Sequence, residues 1–282
     1  MSIDVTYGVL NFNPEQHADA TKAYVAAVET LANNRSVNLS SEVYLIDQGS
    51  QPELTEVMAR ANGFHAILLK KNIGISRGIN LLANMARGQF VSLVTSDVTF
   101  TPGLDDTLVA ALRADPTIYQ ICPVSDNGSL AHQRYDRARE DGILVDNLVQ
   151  ELTIQFWPRA VFEKIGYFDE RWKACYENMD FALRCFLEGG RVVTHQGAFC
   201  THEHNGCTKS GAINHAYEGY IDMPNGLDHG PIRQIWNNKW PDLDRYMNIY
   251  ETFMSDMGQT RAAMFHAYSK NVYLPYVQEV GY

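Results

Sequence analysis

Short apolar runs that each end in a polar loop restrict the fold of this sequence more than any other feature. Three runs of four or five residues have this form: Val43–Ile46, Ala66–Leu69 and Phe90–Val94. Apolar runs of this length, separated by segments of helical periodicity, are typical of buried parallel strands in a βαβ sheet. Ligands of such sheets bind beyond the carboxyl ends of the strands. We therefore expect the polar loops to line one cleft.

The segments between these runs carry apolar residues at helical spacing and have recognisable start or stop signals. The clearest begins at Pro52 and ends at Gly63, with Leu54 and Val57 on its apolar face. Together with a first run at Val5–Leu10, the pattern predicts four strand–helix units in roughly the first 115 residues. Because parallel connections are almost always right-handed, we expect an α/β fold whose mostly parallel central sheet is flanked by helices.

Composition gives looser limits on function. A chain of 282 residues, 45% of them hydrophobic, can bury a full core, and its net charge of −10 weakens the case for nucleic acid as a partner. No apolar run approaches the roughly 18 residues of a membrane span, and the first residues lack the pattern of a secretory signal. The five cysteines lack CxxC spacing and suggest reduced thiols. These features predict a cytoplasmic location.

Six short motifs follow one another in a meaningful order. They are Asn11-Phe-Asn13, Asp47-Gln-Gly-Ser50, Asn72-Ile-Gly74 with Asn80, Asp97 before Pro102-Gly103, Gly166-Tyr-Phe-Asp-Glu170, and Glu177-Asn-Met-Asp180 with Arg184. Each motif is weak alone, but their order and spacing resemble the GT-A fold glycosyltransferases, most closely those of family 2. The resemblance spans roughly residues 4 to 207. It implies a Rossmann-like fold that binds a nucleotide-diphosphate sugar and transfers the sugar to an acceptor hydroxyl.

The resemblance also implies a division of the chain. Residues 1–208 would form the GT-A domain, with residues 1–115 as the nucleotide-sugar-binding half and residues 116–208 as the acceptor and catalytic half. Residues 209–282, rich in aromatics and methionines, would form a helical extension that caps the domain, contributes to the acceptor site or makes a homodimer interface. Residues 125–150 lack apolar periodicity and suggest a loop-rich insertion, either a flap over the cleft or a surface excursion.

Polar residues at the predicted strand ends are the candidates for binding the donor. By the resemblance they are Asn11, Asn13, Asp47, Gly49, Asn72, Gly74, Arg77, Asn80, Ser96 and Asp97. Asp47 would accept hydrogen bonds from the ribose or the base, and the alternative is a turn or helix cap before Pro52. Gly49 and Gly74 would permit close approach of the backbone or a positive φ. Arg77, in a first helical turn, could hold a phosphate.

A divalent cofactor, Mn²⁺ or Mg²⁺, is implied by the same resemblance. Such an ion stabilises the charge that grows on the leaving diphosphate. Asp97 is a candidate ligand, and so are His202 and His204, which point the same way if their segment is extended. The family often has Asp-x-Asp at this strand end, whereas Thr95 occupies the first position here.

The acidic motif departs from the family pattern at Asn178, where inverting family-2 enzymes usually carry the aspartate that acts as general base. An amide does not accept a proton usefully near neutral pH. Glu177 and Asp180 are therefore the catalytic candidates. A pair between Asp180 and Arg184 would leave Glu177 to approach the acceptor, and a capping or dipole role is the alternative for both acids. The motif also resembles retaining polypeptide GalNAc-transferases, so the stereochemistry stays open, with inversion favoured.

Two residues are candidates for the acceptor site. Trp157 could stack on a sugar ring or could be an ordinary core aromatic. Asp169 belongs to the Gly-x-Phe-Asp-Glu motif. The acceptor itself could be a glycan, a lipid-linked sugar, a protein or a modified nucleobase.

Three functions compete on this sequence. The first is a glycosyltransferase. The second is a nucleotide-sugar-binding protein with little or no activity, suggested by Thr95 and Asn178. The third, a sugar nucleotidyltransferase, would need a glycine-rich basic loop directly after the first strand, and Asn11-Phe-Asn13 does not provide one.

Overall fold

The computed structural model describes residues 2–126, 133, 135, 144–147, 150, 152–172, 177–203 and 238–240. Its strands are β1 (Ile3–Asn11), β2 (Ser41–Asp47), β3 (His65–Leu68), β4 (Gly88–Thr95), β5 (Val98–Phe100), β6 (Ile118–Ser125), β7 (Leu144–Asp146), β8 (Ile154–Pro158) and β9 (Arg191–His202). Its helices are α1 (Ala18–Asn34), α2 (Pro52–Asn62), α3 (Ile75–Met85), α4 (Leu104–Ala114), α5 (Arg159–Ile165) and α6 (Glu177–Leu187).

All the strands belong to one sheet with two parts. In the first part β1 lies between β2 and β4, β3 flanks β2, and every pair is parallel. This arrangement confirms the predicted strand–helix units and the α/β fold. The sheet then continues through β8, β6, β9 and β5. In this second part β8 is antiparallel to both β4 and β6, β9 is parallel to β6, and β7 is antiparallel to β9.

The register of the parallel strands brings their carboxyl ends to one edge of the sheet. Asn11 of β1 is opposite Asp47 of β2, which in turn is opposite Leu68 of β3. On the other side of β1, Leu10 is opposite Thr95 of β4. The loops that follow these four strands therefore begin along the same edge, as the sequence predicts.

Two clusters of buried apolar side chains cover the two faces of the sheet. The first includes Tyr7 and Val9 of β1 and packs under α1, α2 and α4. The second includes Leu10 of β1 and packs under α3, α5 and α6. Neighbouring residues of β1 enter different clusters because successive side chains of a strand point to opposite faces. The result is a three-layer α/β/α domain.

Trp157 lies in the second cluster and is fully buried. Its ring makes edge contacts with Phe162, Phe168 and Phe181, at centroid distances of 5.9, 5.7 and 6.2 Å. The prediction that Trp157 forms a wall for a sugar ring is therefore wrong. The aromatic bulk fills the space between the sheet and helices α5 and α6, which is the alternative that the sequence left open.

Parts of two predicted regions fall within the described residues. Of the insertion at 125–150, the short strand β7 pairs with β9. Of the extension at 209–282, residues 238–240 are described, and the predicted helices and homodimer interface lie outside the described residues. Among the residues that the structure covers, no helix has both the length and the hydropathy that a bilayer span requires.

Gly49 and Gly63 flank helix α2 and both have a positive φ, of +80° and +67°. Their surroundings differ. A Cβ on Gly49 would lie 2.8 Å from the backbone of Lys71, since the loop after β2 runs against the loop after β3. A Cβ on Gly63 would have no atom within 4 Å. The two glycines thus separate the effect of φ from the effect of close approach.

We predict that Gly49→Ala lowers the free energy of unfolding by about 3 kcal/mol, because it combines an unfavourable φ with an overpacked contact. Gly63→Ala, the matched control, is expected to lower it by only about 1 kcal/mol. Chemical denaturation of both variants tests the difference. Equal effects would show that the approach of the two loops imposes no constraint.

Candidate functional site

Asp47 organises the loop between β2 and α2. Its carboxylate is fully buried. Oδ1 accepts hydrogen bonds from the backbone N–H groups of Gly49 and Ser50 at 3.0 and 2.8 Å, and Oδ2 accepts from the backbone N–H of Gln51 at 2.8 Å. The amide of Asn11 also donates to Oδ2, at 3.3 Å. The structure therefore places Asp47 in the turn that starts α2, where these donors satisfy its buried carboxylate. The contact with ribose or base stays a prediction.

The side chain of Asn13 likewise bonds residues at the start of α1. Its Oδ1 accepts from the backbone N–H of His17 at 3.0 Å, and its Nδ2 lies 3.0 Å from both the His17 carbonyl and the Thr21 hydroxyl. Asn11 and Asn13 are both almost fully buried. The two predicted nucleotide-binding asparagines thus shape the loop after β1 through bonds to the protein itself.

The loop after β3 is held in place by side-chain bonds to its backbone. Asn72 Oδ1 accepts from the N–H of Gly74 at 2.8 Å, and Gly74 has a φ of +85° just before α3. Gln48 Oε1 accepts from the N–H of Ile73 at 3.2 Å. This last bond ties the loop after β3 to the loop after β2.

Arg77 and Asn80, on α3, both contact the Gly-x-Phe-Asp-Glu segment. Nδ2 and Oδ1 of Asn80 bond the carbonyl and the N–H of Phe168, each at 2.9 Å. Arg77 Nε lies 3.0 Å from Glu170 Oε2, and both side chains are about half exposed. In this structure the polar atoms of both residues join α3 to the loop after α5. That they bind the donor stays a prediction.

The turn after β4 explains the threonine at the first position of the family's acidic motif. The N–H and the hydroxyl of Thr95 both donate to the carbonyl of Thr153, at 3.0 and 3.1 Å. Thr95 thereby prolongs the contact between β4 and β8. Ser96 and Asp97 form the turn that leads into β5.

Asp97 and His202 are brought together by strand pairing. In the antiparallel pair of β5 and β9, Val98 is opposite His202, and the N–H of Glu203 donates to the carbonyl of Asp97 at 2.8 Å. Asp97 Oδ2 consequently lies 3.5 Å from His202 Nε2, and both side chains are nearly buried. His204 lies outside the described residues. Within the described ranges, no three His, Cys, Asp or Glu side chains cluster as a metal site.

Asn178 belongs to an amide cluster formed with Gln120, Gln150 and Gln155. Gln120 Nε2 donates to Asn178 Oδ1 at 2.8 Å and lies 2.9 and 3.1 Å from the side-chain oxygens of Gln150 and Gln155. Asn178 Nδ2 donates to the backbone carbonyl of Gln150. All four side chains are buried and neutral. The amide at the family's base position is therefore fixed by the protein at both its oxygen and its nitrogen.

Glu177 opens α6 immediately beside this cluster. Its carboxyl group is buried, and Oε2 has no hydrogen-bond partner among the described residues. Burial raises the pKa of Glu177 to about 7, because removal of water disfavours the charged form. A carboxyl group with this pKa can exchange a proton near neutral pH.

Asp180, one turn further along α6, is surrounded by cations and donors. Its Oδ2 lies 3.1 Å from Arg184 Nε, which confirms the predicted pair. Its Oδ1 lies 2.7 Å from Lys239 Nζ and 2.9 Å from Trp240 Nε1. Sequence reasoning missed Lys239 and treated Trp240 only as one aromatic of the extension, since no local pattern links residues so far apart.

Asp169 is also committed to ion pairs. Arg171 donates to both of its carboxylate oxygens, and Lys239 Nζ lies 2.7 Å from Oδ2. Burial favours the neutral acid, but these two cations outweigh it and hold the pKa of Asp169 well below its usual range. Asp169 is thus held by contacts within the protein, and its contact with the acceptor stays a prediction.

Comparisons with known proteins agree with this architecture. Residues 25–186, more than half of the chain, match the family model described as glycosyl transferase family 2. Staphylococcus aureus TarS, residues 1–349, is 16% identical with a TM-score of 0.56, and the match covers 72% of this chain and 61% of that one. Its complex with UDP-GlcNAc is 18% identical with a TM-score of 0.57, covering 78% and 62%.

GalNAc-T7, solved with UDP, GalNAc and Mn²⁺, is 14% identical with a TM-score of 0.58, and the match covers 71% of this chain and 44% of that one. This chain thus spans less than two thirds of each of these solved proteins. At such low identity the likeness shows the shared fold alone. A search of curated protein sequences finds no match. The family match over more than half of its length shows that the chain belongs to glycosyl transferase family 2.

Proposed function

We propose that this protein transfers a sugar from a nucleoside diphosphate sugar to an acceptor hydroxyl with inversion, and that Glu177 is the general base. The buried carboxyl of Glu177 at the start of α6, with Oε2 unbonded by the described residues, is the observation that carries the proposal. It lies in the family's acidic motif. Inversion requires a group that removes the acceptor proton, and the neighbouring residues do not offer one.

The contacts of the other candidates favour Glu177 as the base. The carboxylate of Asp180 is oriented by ion pairs with Arg184 and Lys239. Asn178 is an amide with both polar atoms bonded. In the reaction, Glu177 takes the proton of the acceptor hydroxyl as the hydroxyl oxygen bonds to the anomeric carbon. The bond from that carbon to the diphosphate oxygen breaks, and the electron pair leaves with the diphosphate.

For the donor, we propose a uridine diphosphate sugar bound along the edge formed by the loops after β1, β2, β3 and β4. Two observations support this choice. The side-chain bonds of Asp47 and Asn72 set the shape of two of these loops. TarS and GalNAc-T7, which share the fold, were solved with UDP-GlcNAc and with UDP and GalNAc, respectively.

Asp97 and His202 suit a divalent ion such as Mn²⁺ or Mg²⁺. Their donor set is one carboxylate and one imidazole, both nearly buried, with Asp97 Oδ2 3.5 Å from His202 Nε2. Two protein ligands are enough where substrate phosphates complete the coordination. A bound ion would neutralise charge on the leaving diphosphate. The pairing of β5 with β9 brings the two side chains together.

We predict that Glu177→Gln lowers kcat by about 10²–10⁴-fold, because the amide cannot accept the proton. The wild-type rate should rise with pH and level off above about 7, and the variant should lose this dependence. Affinity for UDP should change by less than about twofold, since Glu177 is not assigned to the donor. Rates are measured with a panel of nucleotide sugars, and UDP affinity by calorimetry.

The control for this experiment is Glu163→Gln, an exposed glutamate on α5 that pairs with Arg159. Its kcat should equal that of the wild type. NMR of the product anomer completes the test. A Glu177→Gln enzyme with wild-type kcat and inverted product would refute the assignment, and retention of configuration would recast Glu177 as a ligand of donor or acceptor.

Stability should respond to pH through the same carboxyl. The pKa of Glu177 is about 7 in the folded protein against 4.5 for the free group, so the folded state holds the proton more tightly. The associated stabilisation is complete at low pH and is lost as pH rises through 7. Between pH 5 and 8 we predict that Glu177→Gln gains about 2 kcal/mol in unfolding free energy relative to the wild type. Urea denaturation at both pH values measures this, and a constant difference would contradict it.

The metal assignment gives a separate prediction. Asp97→Asn should abolish the enhancement of UDP binding by Mn²⁺ and should abolish turnover, because the carboxylate charge that holds the ion is lost. Calorimetry with and without Mn²⁺ provides a readout that does not depend on activity. Asp19→Asn, at an exposed position of α1, is the control. Mn²⁺-dependent UDP binding that survives in Asp97→Asn would rule out this site.

A further inference from the structure

Residues 238–240 pack against the candidate site although they are remote from it in sequence. Trp240 is almost fully buried, and the Lys239 side chain is 18% exposed. Lys239 Nζ lies 2.7 Å from Asp169 Oδ2 and 2.7 Å from Asp180 Oδ1. One ammonium group therefore joins the loop after α5 to the first turns of α6.

Trp240 adds a second bond to the same carboxylate. Its indole N–H donates to Asp180 Oδ1 at 2.9 Å, and its ring centroid lies 5.7 Å from Lys239 Nζ. Asp180 is fully buried. Since a buried carboxylate depends on fixed partners for its orientation, Lys239 and Trp240 together determine where Oδ1 of Asp180 points.

We propose that Lys239 and Trp240 are positioning residues of the transferase, which fix the start of α6 relative to the Asp169 loop and thereby hold Glu177 at the acceptor. Glu177 precedes Asp180 by three residues, so the two lie within one turn of the helix. This inference rests on the proposed role of Glu177 as the base. Neither positioning residue touches the reacting atoms.

The fold has an independent link between the same elements. Arg184 of α6 donates to the backbone carbonyls of Ile165 and Tyr167, each at 2.9 Å. It also pairs with the other oxygen of Asp180. Loss of the Lys239 contact should therefore leave the α5–α6 connection assembled, and its main effect should be on the orientation of the helix start.

The test compares Lys239→Met with Lys239→Arg and with a matched control, Lys164→Met, in the full chain. Lys164 also lies over an aromatic ring, that of Tyr119, at 4.9 Å, but away from the acidic motif. The probes are UDP for binding and UDP-GlcNAc, UDP-glucose and UDP-galactose with Mn²⁺ for hydrolysis, in which water replaces the acceptor.

We expect Lys239→Met to lower kcat for donor hydrolysis by about tenfold to a hundredfold, because a small displacement of a catalytic group has effects of this size. KM for the donor and Kd for UDP should stay within about twofold of the wild type. Lys239→Arg, which keeps the charge, should recover most of the rate. Trp240→Phe should show a smaller loss, and Lys164→Met none.

The outcomes separate this inference from the function beneath it. A wild-type protein that binds UDP but hydrolyses none of the donors overturns the transferase function and this role with it. A wild-type enzyme that is active, together with unchanged kcat in Lys239→Met, overturns the positioning role alone. Parallel losses of thermal stability, UDP affinity and kcat, without rescue by arginine, would show a purely structural contact and would also overturn it.

Discussion

The antiparallel contact between β4 and β8 is the interaction on which the candidate site depends. It joins the parallel strands to the second part of the sheet, and Thr95 extends it by donating twice to Thr153. Because a slip of one residue would turn every side chain of β8 to the other face, this register fixes the face on which Gln155 joins the amide cluster of Asn178. The turn that carries Asp97 starts at the same place. The positions of the amide cluster beside Glu177 and of the turn with Asp97 thus both depend on the backbone hydrogen bonds between β4 and β8.

The parallel half of the fold could be predicted because its signals are local. Apolar runs of strand length, a proline that starts α2 and a glycine that ends it appear within short windows of sequence. The pair between Asp180 and Arg184 could be predicted for the same reason, since residues four apart on a helix are neighbours. The contact of Lys239 with Asp169 could not, because only the folded chain brings together segments separated by so many residues. For Trp157, an aromatic side chain fits a core or a sugar site equally well, and only the packing decides.

The candidate site was predicted in place but not in detail. The motifs put Asp47, Asn72 and Asp97 at one edge of the sheet, where the structure has them. The motifs do not reveal whether a polar side chain forms its hydrogen bonds with a ligand or with other groups of the protein. Most buried polar groups need hydrogen-bond partners, and for Asp47 and Asn80 the loops themselves provide them. Sequence motifs of this kind therefore identify the residues that build a binding edge more readily than the atoms that touch the ligand.

The amide cluster around Asn178 has a consequence for what a substitution at this position can achieve. The carbonyl of Gln150 receives a proton donor from Asn178, and an aspartate in that position could supply one only in its protonated form. That form is the one that cannot accept a proton from a substrate. Substitution of Asn178 by aspartate would therefore restore the residue that the family usually has here but not its role as a base. The usual chemistry would require a second substitution near Gln150 or Gln120 that removes the need for a donor at this position.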